Sequence, residues 1–481
     1  MDQINEWIGT AGDTFWMYLL IPLLTLASVY FTVRLGAVQV RLLPDMFRQL
    51  FSTPETAPDG KKAISSFQAF AISAATRVGT GNVVGVAGAI AIGGPGAVLW
   101  MWLMGLLVGA ASFVESTLGQ LYKVRESTGY RGGPAYYMQR GLRSRWMGVL
   151  FAILITITFG FVFSAVQSNT ISGALNTSME QATGDELAFG LKPLVGALLV
   201  AMAGLVIFGG VRRIAHVAQT LVPFMALFYI LIGLAAIALN VNQVPAMFGQ
   251  IVQGALGVEQ FAGAAVGTVL VEGVRRGMFS NEAGMGSAPN AGATASVSHP
   301  VKQGLVQTLG VYFDTLIICS VTAFVILVSN PTYGEERGPV MTQEAMQASL
   351  GTWSLHALTV ILLLLAFSSM LGNYYYGEAN VRFMADRKPL VRGYQFVFLA
   401  AVFLGAIGKV DVVWTLADST MGFMALVNLL ALVLLSGVTS LMLKDYVTQL
   451  KQGRDPVFTR DRIPGLQGVE CWDPEEEKSR S

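Results

Sequence analysis

Apolar stretches long enough to cross a bilayer recur along this chain, and no other feature narrows its fold so far. A helical crossing takes about 20 consecutive apolar residues. Eleven such stretches fall near 14–36, 66–92, 95–121, 146–172, 192–209, 217–239, 258–278, 303–329, 354–380, 394–409 and 412–443. Charged residues make up only 13% of the 481 and hydrophobic ones 53%, whereas soluble domains carry about 25% charged residues. The predicted fold class is therefore an all-α polytopic membrane protein with about 11 transmembrane helices. The 53 glycines and 20 methionines imply closely packed helices.

Lys and Arg fix the expected orientation. With the N-terminus outside, every one of the 31 Lys and Arg falls on the cytoplasmic side except Lys192, Arg337 and Lys409, which lie outside, and Arg77, within a span. The outer loops are neutral or acidic, as at Glu180, Asp185, Glu186, Glu335 and Glu336. Residues 40–51 mix basic and apolar side chains at the membrane edge and predict a short interfacial helix. The tail from Lys451, rich in charge, predicts partial disorder. The N-terminus lacks the basic region of a signal peptide, so the first span is expected to be retained.

Several function classes drop out. A net charge of +1 gives no argument for nucleic acid, and Cys319 and Cys471 form neither a disulfide framework nor a metal-ligand pattern. His216, His299 and His356 are scattered. No Gly-Lys-Ser/Thr follows the Gly132-Gly133-Pro134 turn, so no phosphate loop is present and the driving force is expected to be an ion gradient. No paired catalytic groups occur in the spans, so an enzyme is not expected. No feature calls for an obligate protein partner.

One span is interrupted. Arg77-Val78-Gly79-Thr80-Gly81-Asn82 places two glycines, a hydroxyl, an amide and a cation between membrane-grade flanks. Polar backbone at that depth must be buried in protein or line a cavity, and broken helices at the midplane are how many secondary transporters build a site. Where a half-helix restarts near Gly81, its first N–H groups and the positive end of its dipole are free to hold a carboxylate. The backbone of Thr80 and Gly81, with the Asn82 amide nearby, is therefore the candidate for holding a carboxylate, and Gly79 and Gly81 let a substrate approach the backbone closely, unless the break is a packing kink.

The seventh span, five later and opposite in direction, carries Gly263-Ala264-Ala265-Val266-Gly267-Thr268. Two interrupted helices so placed suggest a five-plus-five inverted repeat with one extra N-terminal helix; glycines there serve helix packing equally well. The repeats would cover about 64–240 and about 258–445, within a transmembrane domain 1–445 followed by a cytoplasmic tail 446–481.

Longer strings go beyond composition. Arg77-Val78-Gly79-Thr80-Gly81-Asn82, Gly93-Gly94-Pro95-Gly96-Ala97, Ser112-Phe113-Val114-Glu115-Ser116-Thr117, Arg131-Gly132-Gly133-Pro134-Ala135-Tyr136-Tyr137 and the Ser280–Asn290 string together resemble the alanine or glycine:cation symporter family of bacteria and archaea. The resemblance runs from the first span to about residue 445. It implies a LeuT-type fold in a bacterial inner membrane, with the N-terminus periplasmic. It also implies sodium-driven uptake of a small neutral amino acid: alanine, glycine or serine.

The resemblance also supplies site residues. Gln167, in the fourth span, would accept from the substrate ammonium together with carbonyls from Gly263 to Gly267; a glutamine inside a membrane can equally make an interhelical hydrogen bond. Sodium, a hard cation, wants oxygen ligands. Carbonyls of Ala75 and Val78 would meet hydroxyls of Ser368 and Ser369, unless these serines bond back to their own helix. Asp314 would hold a second sodium near Asn82, a proton, or Arg77. Many members carry a tryptophan in the ninth span where this chain reads Asn373, which bears on pocket size and polarity. Arg77 is expected to pair with Glu115 or Glu272 as scaffold, and Ser280–Asn290 to form a cytoplasmic gate or hinge.

The expected mechanism is alternating access, with sodium and alanine stabilising the same broken helix. Two alternatives stay open: a proton-coupled carrier, and a channel or non-transporting sensor on the same fold.

Overall fold

The computed structural model describes residues 12–52, 63–126, 129–184, 191–258, 265–334, 340–408 and 410–473, and of residues 410–413 the backbone alone. The long apolar stretches become long helices: α1 (Gly12–Arg34), then α2 (Ser66–Arg77) and α3 (Gly81–Gly93), one path bent by 46°. They are followed by α4 (Ala97–Leu121), α5 (Arg145–Thr183), α6 (Leu191–Ile207) and α7 (Gly210–Leu239). Next come α8 (Val266–Asn281) and α9 (Ala288–Gly292). The last are α10 (Pro300–Val328), α11 (Thr352–Met384), α12 (Lys388–Ile407) and α13 (Val410–Lys451).

Among the described residues, eight helices are individually long and apolar enough to cross a membrane, and α2 with α3 makes a ninth path. The other two predicted spans fall on α6 and α8, of 17 and 16 described residues, fewer than the about 20 of a typical straight crossing. Length alone therefore supports nine of the expected eleven. The shortest predicted span, 394–409, becomes the 20-residue α12.

Local chemistry sets several boundaries. Ser65 caps α2 in a capping box with Gln68, each side chain bonding the other residue's backbone N–H at 3.1 Å. Small residues bring α4 and α10 together: a Cβ on Gly304 would meet Thr117 and Phe113, and the Thr308 hydroxyl reaches the Gly109 carbonyl at 3.3 Å. Outward-facing Leu26, Val33, Leu205, Phe224 and Leu434 are exposed, as a lipid-facing surface requires. The interfacial helix appears as Leu43–Leu50, with Met46, Gln49 and Leu50 buried and Phe47 exposed.

One end of the bundle, the tail face, carries an antiparallel hairpin of β1 (Val124–Glu126) and β2 (Gly129–Arg131). Contrary to the expected disorder, residues 453–473 pack there. Phe458, Ile463, Cys471 and Trp472 are buried, and the Trp472 indole donates to the Leu121 carbonyl at 3.1 Å. Helices α2 and α10 start at this face, where Gln303 bonds Ser66 at 3.0 Å and Phe458 N–H bonds the Ser298 carbonyl at 2.8 Å. Helix α8 starts at the opposite, far face, where Val269 and Glu272 lie against Gly93 at the end of α3.

Three wide, π-helical turns ring the middle of the bundle: Gly81–Gly85 opening α3, Thr158–Phe163 inside α5 and Phe313–Ile318 inside α10. Such turns mark functional positions in many helices. Here they carry Asn82, Phe163 and Asp314.

Candidate substrate and ion site

Helix α2 ends at Arg77, with Val78 at φ −78° and ψ 74° leaving the helical region. The Gly79 N–H then bonds the Asn82 Oδ1 at 2.9 Å, so Asn82 caps the break from the far side. Thr80 and Asn82 are fully buried and Val78 nearly so. The half-helix restarts at Gly81 as predicted. A Cβ on Gly81 would stand 2.9 Å from the Phe279 ring, and one on Gly79 would meet the Ser369 hydroxyl. Both glycines are therefore required by close approach.

Asn82 also reaches across to α10, where its Nδ2 donates to Asp314 Oδ1 at 2.6 Å. The same carboxylate accepts from Ser280 Oγ on α8 at 2.9 and 3.0 Å and from Thr315 Oγ1 at 3.1 Å. Asp314 thus gathers three helices with neutral donors only. The predicted pairing of Asp314 with Arg77 is not made: Arg77 donates to the Gln307 carbonyl at 2.8 Å. Nor does Arg77 bond Glu115 or Glu272.

Gln167 does meet the break. Its Oε1 accepts from the Thr80 N–H at 3.4 Å, the amide assigned to the substrate carboxylate. The glutamine and the half-helix terminus therefore face one another.

The Ala75 carbonyl accepts from Ser369 Oγ at 2.8 Å across α2 and α11, which brings those two predicted ion ligands together. Ser368 turns away: its hydroxyl bonds the Leu365 carbonyl at 2.9 Å and faces Met225 Sδ at 3.4 Å. Both serines take the back-bonded alternative, since Ser369 Oγ also reaches the Leu365 carbonyl at 3.0 Å, but only Ser369 bonds across to α2 as well. Val78 is buried as the C-cap of α2.

The second break lies elsewhere than expected. Gly263 is outside the described residues, and Gly267 is exposed in the first turn of α8, at the far face and away from the site. Helix α8 instead ends at Asn281. Glu282 takes a left-handed conformation (φ 58°), and Gly284 and Gly286 follow at φ 80° and 84°. Glycine favours that region freely, whereas glutamate does not. The turn is held by Glu115 on α4, whose carboxylate accepts from Gly284 N–H at 3.3 Å, Gly286 N–H at 3.0 Å and Asn428 Nδ2 at 2.9 Å. The Ser280–Asn290 string, read as a gate, is this break.

Two closures separate the site from the far face. The rings of Phe163 and Phe279 lie 4.7 Å apart and those of Phe279 and Trp414 5.0 Å apart. Above them Arg276 sits over Trp414 at 5.3 Å and bonds Asp418 at 3.2 Å, while Arg275 bonds Asp13 at 2.7 Å and Glu272 at 3.4 Å. These arginines, expected in a cytoplasmic loop, are instead buried in α8 beside far-face acids. Towards the tail face, Tyr376 bonds Thr76 at 3.1 Å and packs on Phe159. Beyond that layer a cavity of about 430 Å³ is lined by Arg131, Tyr375, Glu378, Arg382 and Asp386.

The whole arrangement is that of a carrier with two broken helices meeting at mid-depth. The profile of the sodium:alanine symporter family matches residues 1–460. The chain belongs to that family. It is 50% identical over 475 residues to the "Probable sodium/glutamine symporter GlnT" of Bacillus subtilis, covering 98% of this chain and 97% of that one. It is 34% identical over 441 residues to the "Sodium/alanine symporter AgcS" of Methanococcus maripaludis, covering 90% and 94%. The crystal structure of MhsT in complex with L-phenylalanine superposes with a TM-score of 0.54 at 15% identity, covering 80% of this chain and 89% of MhsT. That likeness shows the fold, which is LeuT-type. This symporter-family member is an integral membrane transporter and not an enzyme.

Proposed function

We propose that this transporter couples inward sodium movement to uptake of a neutral amino acid of the alanine class, which includes glycine and serine, by alternating access across a bacterial inner membrane. The N-terminus is periplasmic and the tail face cytoplasmic in this reading, as the distribution of Lys and Arg supports. The observation that carries the proposal is the meeting of the α2–α3 break with Gln167, Asp314 and Ser369. The N–H groups at Thr80 and Gly81 take the substrate carboxylate, and Gln167, displaced from its 3.4 Å bond to Thr80, offers its oxygen to the ammonium.

Sodium travels here as a second substrate. Ala75 and Val78 carbonyls with Ser369 supply hard oxygen ligands at one position, while Asp314, Asn82 and Ser280 supply them at another. Ions at both would tie α2, α3, α8, α10 and α11 together. Far-face closure by Arg275 and Arg276 and the cavity reaching towards Tyr375 fit a state poised for release to the tail face.

Accumulation of labelled alanine in proteoliposomes tests this. Uptake under an inward sodium gradient, absent in sodium-free buffer with a proton gradient, is the expected result. A second reading, proton coupling, is favoured by Asp314, a buried carboxylate surrounded by neutral donors. Accumulation under the proton gradient alone would establish it and discard the sodium positions. Conductance without accumulation would establish a channel.

A further inference from the structure

A groove of about 650 Å³ opens on the outer surface where the interfacial helix meets α2, α7 and α10. Leu43, Phe47 and Phe51 form its rim at the tail face, and all three are exposed. Below the rim the rings of Phe51 and Phe67 stack at 6.0 Å, and those of Phe67 and Phe70 at 6.5 Å. The groove ends at Phe313, Leu316 and Ile317, about 25 Å along α10 from its start at Pro300. One leaflet with its headgroup layer is about 20 Å deep. The groove therefore runs from the membrane surface to mid-depth, and an acyl chain matches it in direction and polarity. Its deep end is the outer side of the π-helical turn Phe313–Ile318, so an occupant backs the turn that aims Asp314 at the break.

Charge at the rim selects the lipid. Arg41 and Arg48 are exposed, and each directly follows a groove residue, Val40 and Phe47. Arg48 also lines, with Ser52 and Lys302, a neighbouring pocket of about 350 Å³ that already holds an anion. There the tail's Asp455 bonds Lys302 at 2.7 Å and Arg48 at 3.5 Å. The Arg48 contact is long and more than half exposed on both sides, so it yields readily to a phosphate while Lys302 keeps Asp455. Asp45, the acid of the interfacial helix, is engaged by the Tyr446 hydroxyl. We infer that the groove is a binding site for one anionic phospholipid, with its phosphate on Arg41 and Arg48 and one acyl chain laid against α2 and α10 down to the turn that carries Asp314. A zwitterionic phospholipid offers the same chain but adds an ammonium that these arginines repel.

Native mass spectrometry of the delipidated full-length protein, offered equal amounts of phosphatidylglycerol and phosphatidylcholine, tests it. One phosphatidylglycerol per chain should be retained in preference to phosphatidylcholine. Arg48→Gln should lower that preference about fivefold, and Arg41→Gln combined with Arg48→Gln about 25-fold. Ile317→Trp, which fills the deep end, should cut retention of both lipids alike. Equal retention of the two lipids, a preference unchanged in the double variant, or unchanged retention in Ile317→Trp overturns the inference. A stable dimer carrying no lipid overturns it too, by giving the groove to a second copy. If the variants do not insert, wild type loaded in about 1 M salt takes their place, and a preference that survives such screening overturns the inference.

Discussion

The two helix breaks present the same problem, unpaired backbone at mid-depth, and solve it differently. At the α8–α9 break a dedicated carboxylate, Glu115, takes the Gly284 and Gly286 N–H groups, and Asn428 closes the network by donating both to Glu115 and to the Gly284 carbonyl at 2.9 Å. Its polar groups are committed. At the α2–α3 break the Thr80 N–H is met only by the long 3.4 Å bond from Gln167, and the Thr80 hydroxyl has no partner. Those groups are exchangeable. A break whose donors are all engaged acts as a fixed bend, whereas one whose donors can be handed to an incoming carboxylate acts as a binding site.

Removing the commitment should therefore have the largest effect. Glu115→Ala leaves two buried N–H groups and an amide without their acceptor, each costing about 1–3 kcal/mol. The purified protein should melt about 10 °C or more below wild type, with Glu115→Gln in between because one acceptor oxygen survives. An unchanged melting temperature for Glu115→Ala would show that the second break holds itself, and the contrast drawn above would collapse.

The first break should respond in transport more than in folding. Asn82→Ala removes the Gly79 cap and the 2.6 Å bond to Asp314, and sodium-driven uptake should fall about 10- to 100-fold. A smaller effect is expected at the adjoining ion position. Ser369→Ala should raise the sodium concentration for half-maximal uptake about tenfold. Ser368→Ala, whose hydroxyl faces its own helix and Met225, should leave it within about twofold. Equal effects of the two serines would mean that Ser368 rotates inward during the cycle. Both measurements are made on the same vesicles, so loss of folding is separated from loss of coupling.

The unequal visibility of the two breaks in the sequence has the same origin. The first is written locally: Gly79-Thr80-Gly81 with Asn82 three residues beyond Gly79 contains both the break and its cap. The second depends on Glu115 and Asn428, 169 and 144 residues from Gly284, so glycine content alone pointed to Gly263–Thr268 and missed Glu282 in its left-handed turn. Span positions were legible because bilayer thickness imposes them. The π-helical turns that aim Asp314 and Asn82 inward leave no local signature, since tertiary packing decides them. Arg275 and Arg276 looked like loop charges because their partners, Asp13, Glu272 and Asp418, become visible only once α1, α8 and α13 are together. In the tail, charge density masked the anchors Phe458, Ile463 and Trp472.

That tail extends the contrast, because it ties down the chain just beyond the second break. Lys123 donates to the Ala295 carbonyl at 3.0 Å while its ammonium lies over Tyr130 at 3.9 Å and Trp472 at 4.8 Å, and Phe458 holds Ser298. His299 sits at the same point, fully buried, with Asp445 at 3.3 Å and Lys302 and Arg462 close by. Burial pushes its pKa from 6.5 down to about 4, against the opposing pull of Asp445. Between those values the undocked imidazole binds a proton that the docked one refuses. Docking is therefore favoured at neutral pH and weakens as the pH falls towards 4, to the extent that release of the Phe458 ring re-exposes the imidazole. Limited proteolysis of residues 453–473 in the intact protein should be slow at pH 7 and accelerate on acidification, and His299→Gln should flatten that dependence. Transport at pH 7 should change least of all the cases above, because neither Thr80 nor Asp314 contacts the tail. If His299→Gln instead abolished sodium-driven uptake at pH 7, the second break would be a moving part of the transport cycle and not a fixed bend.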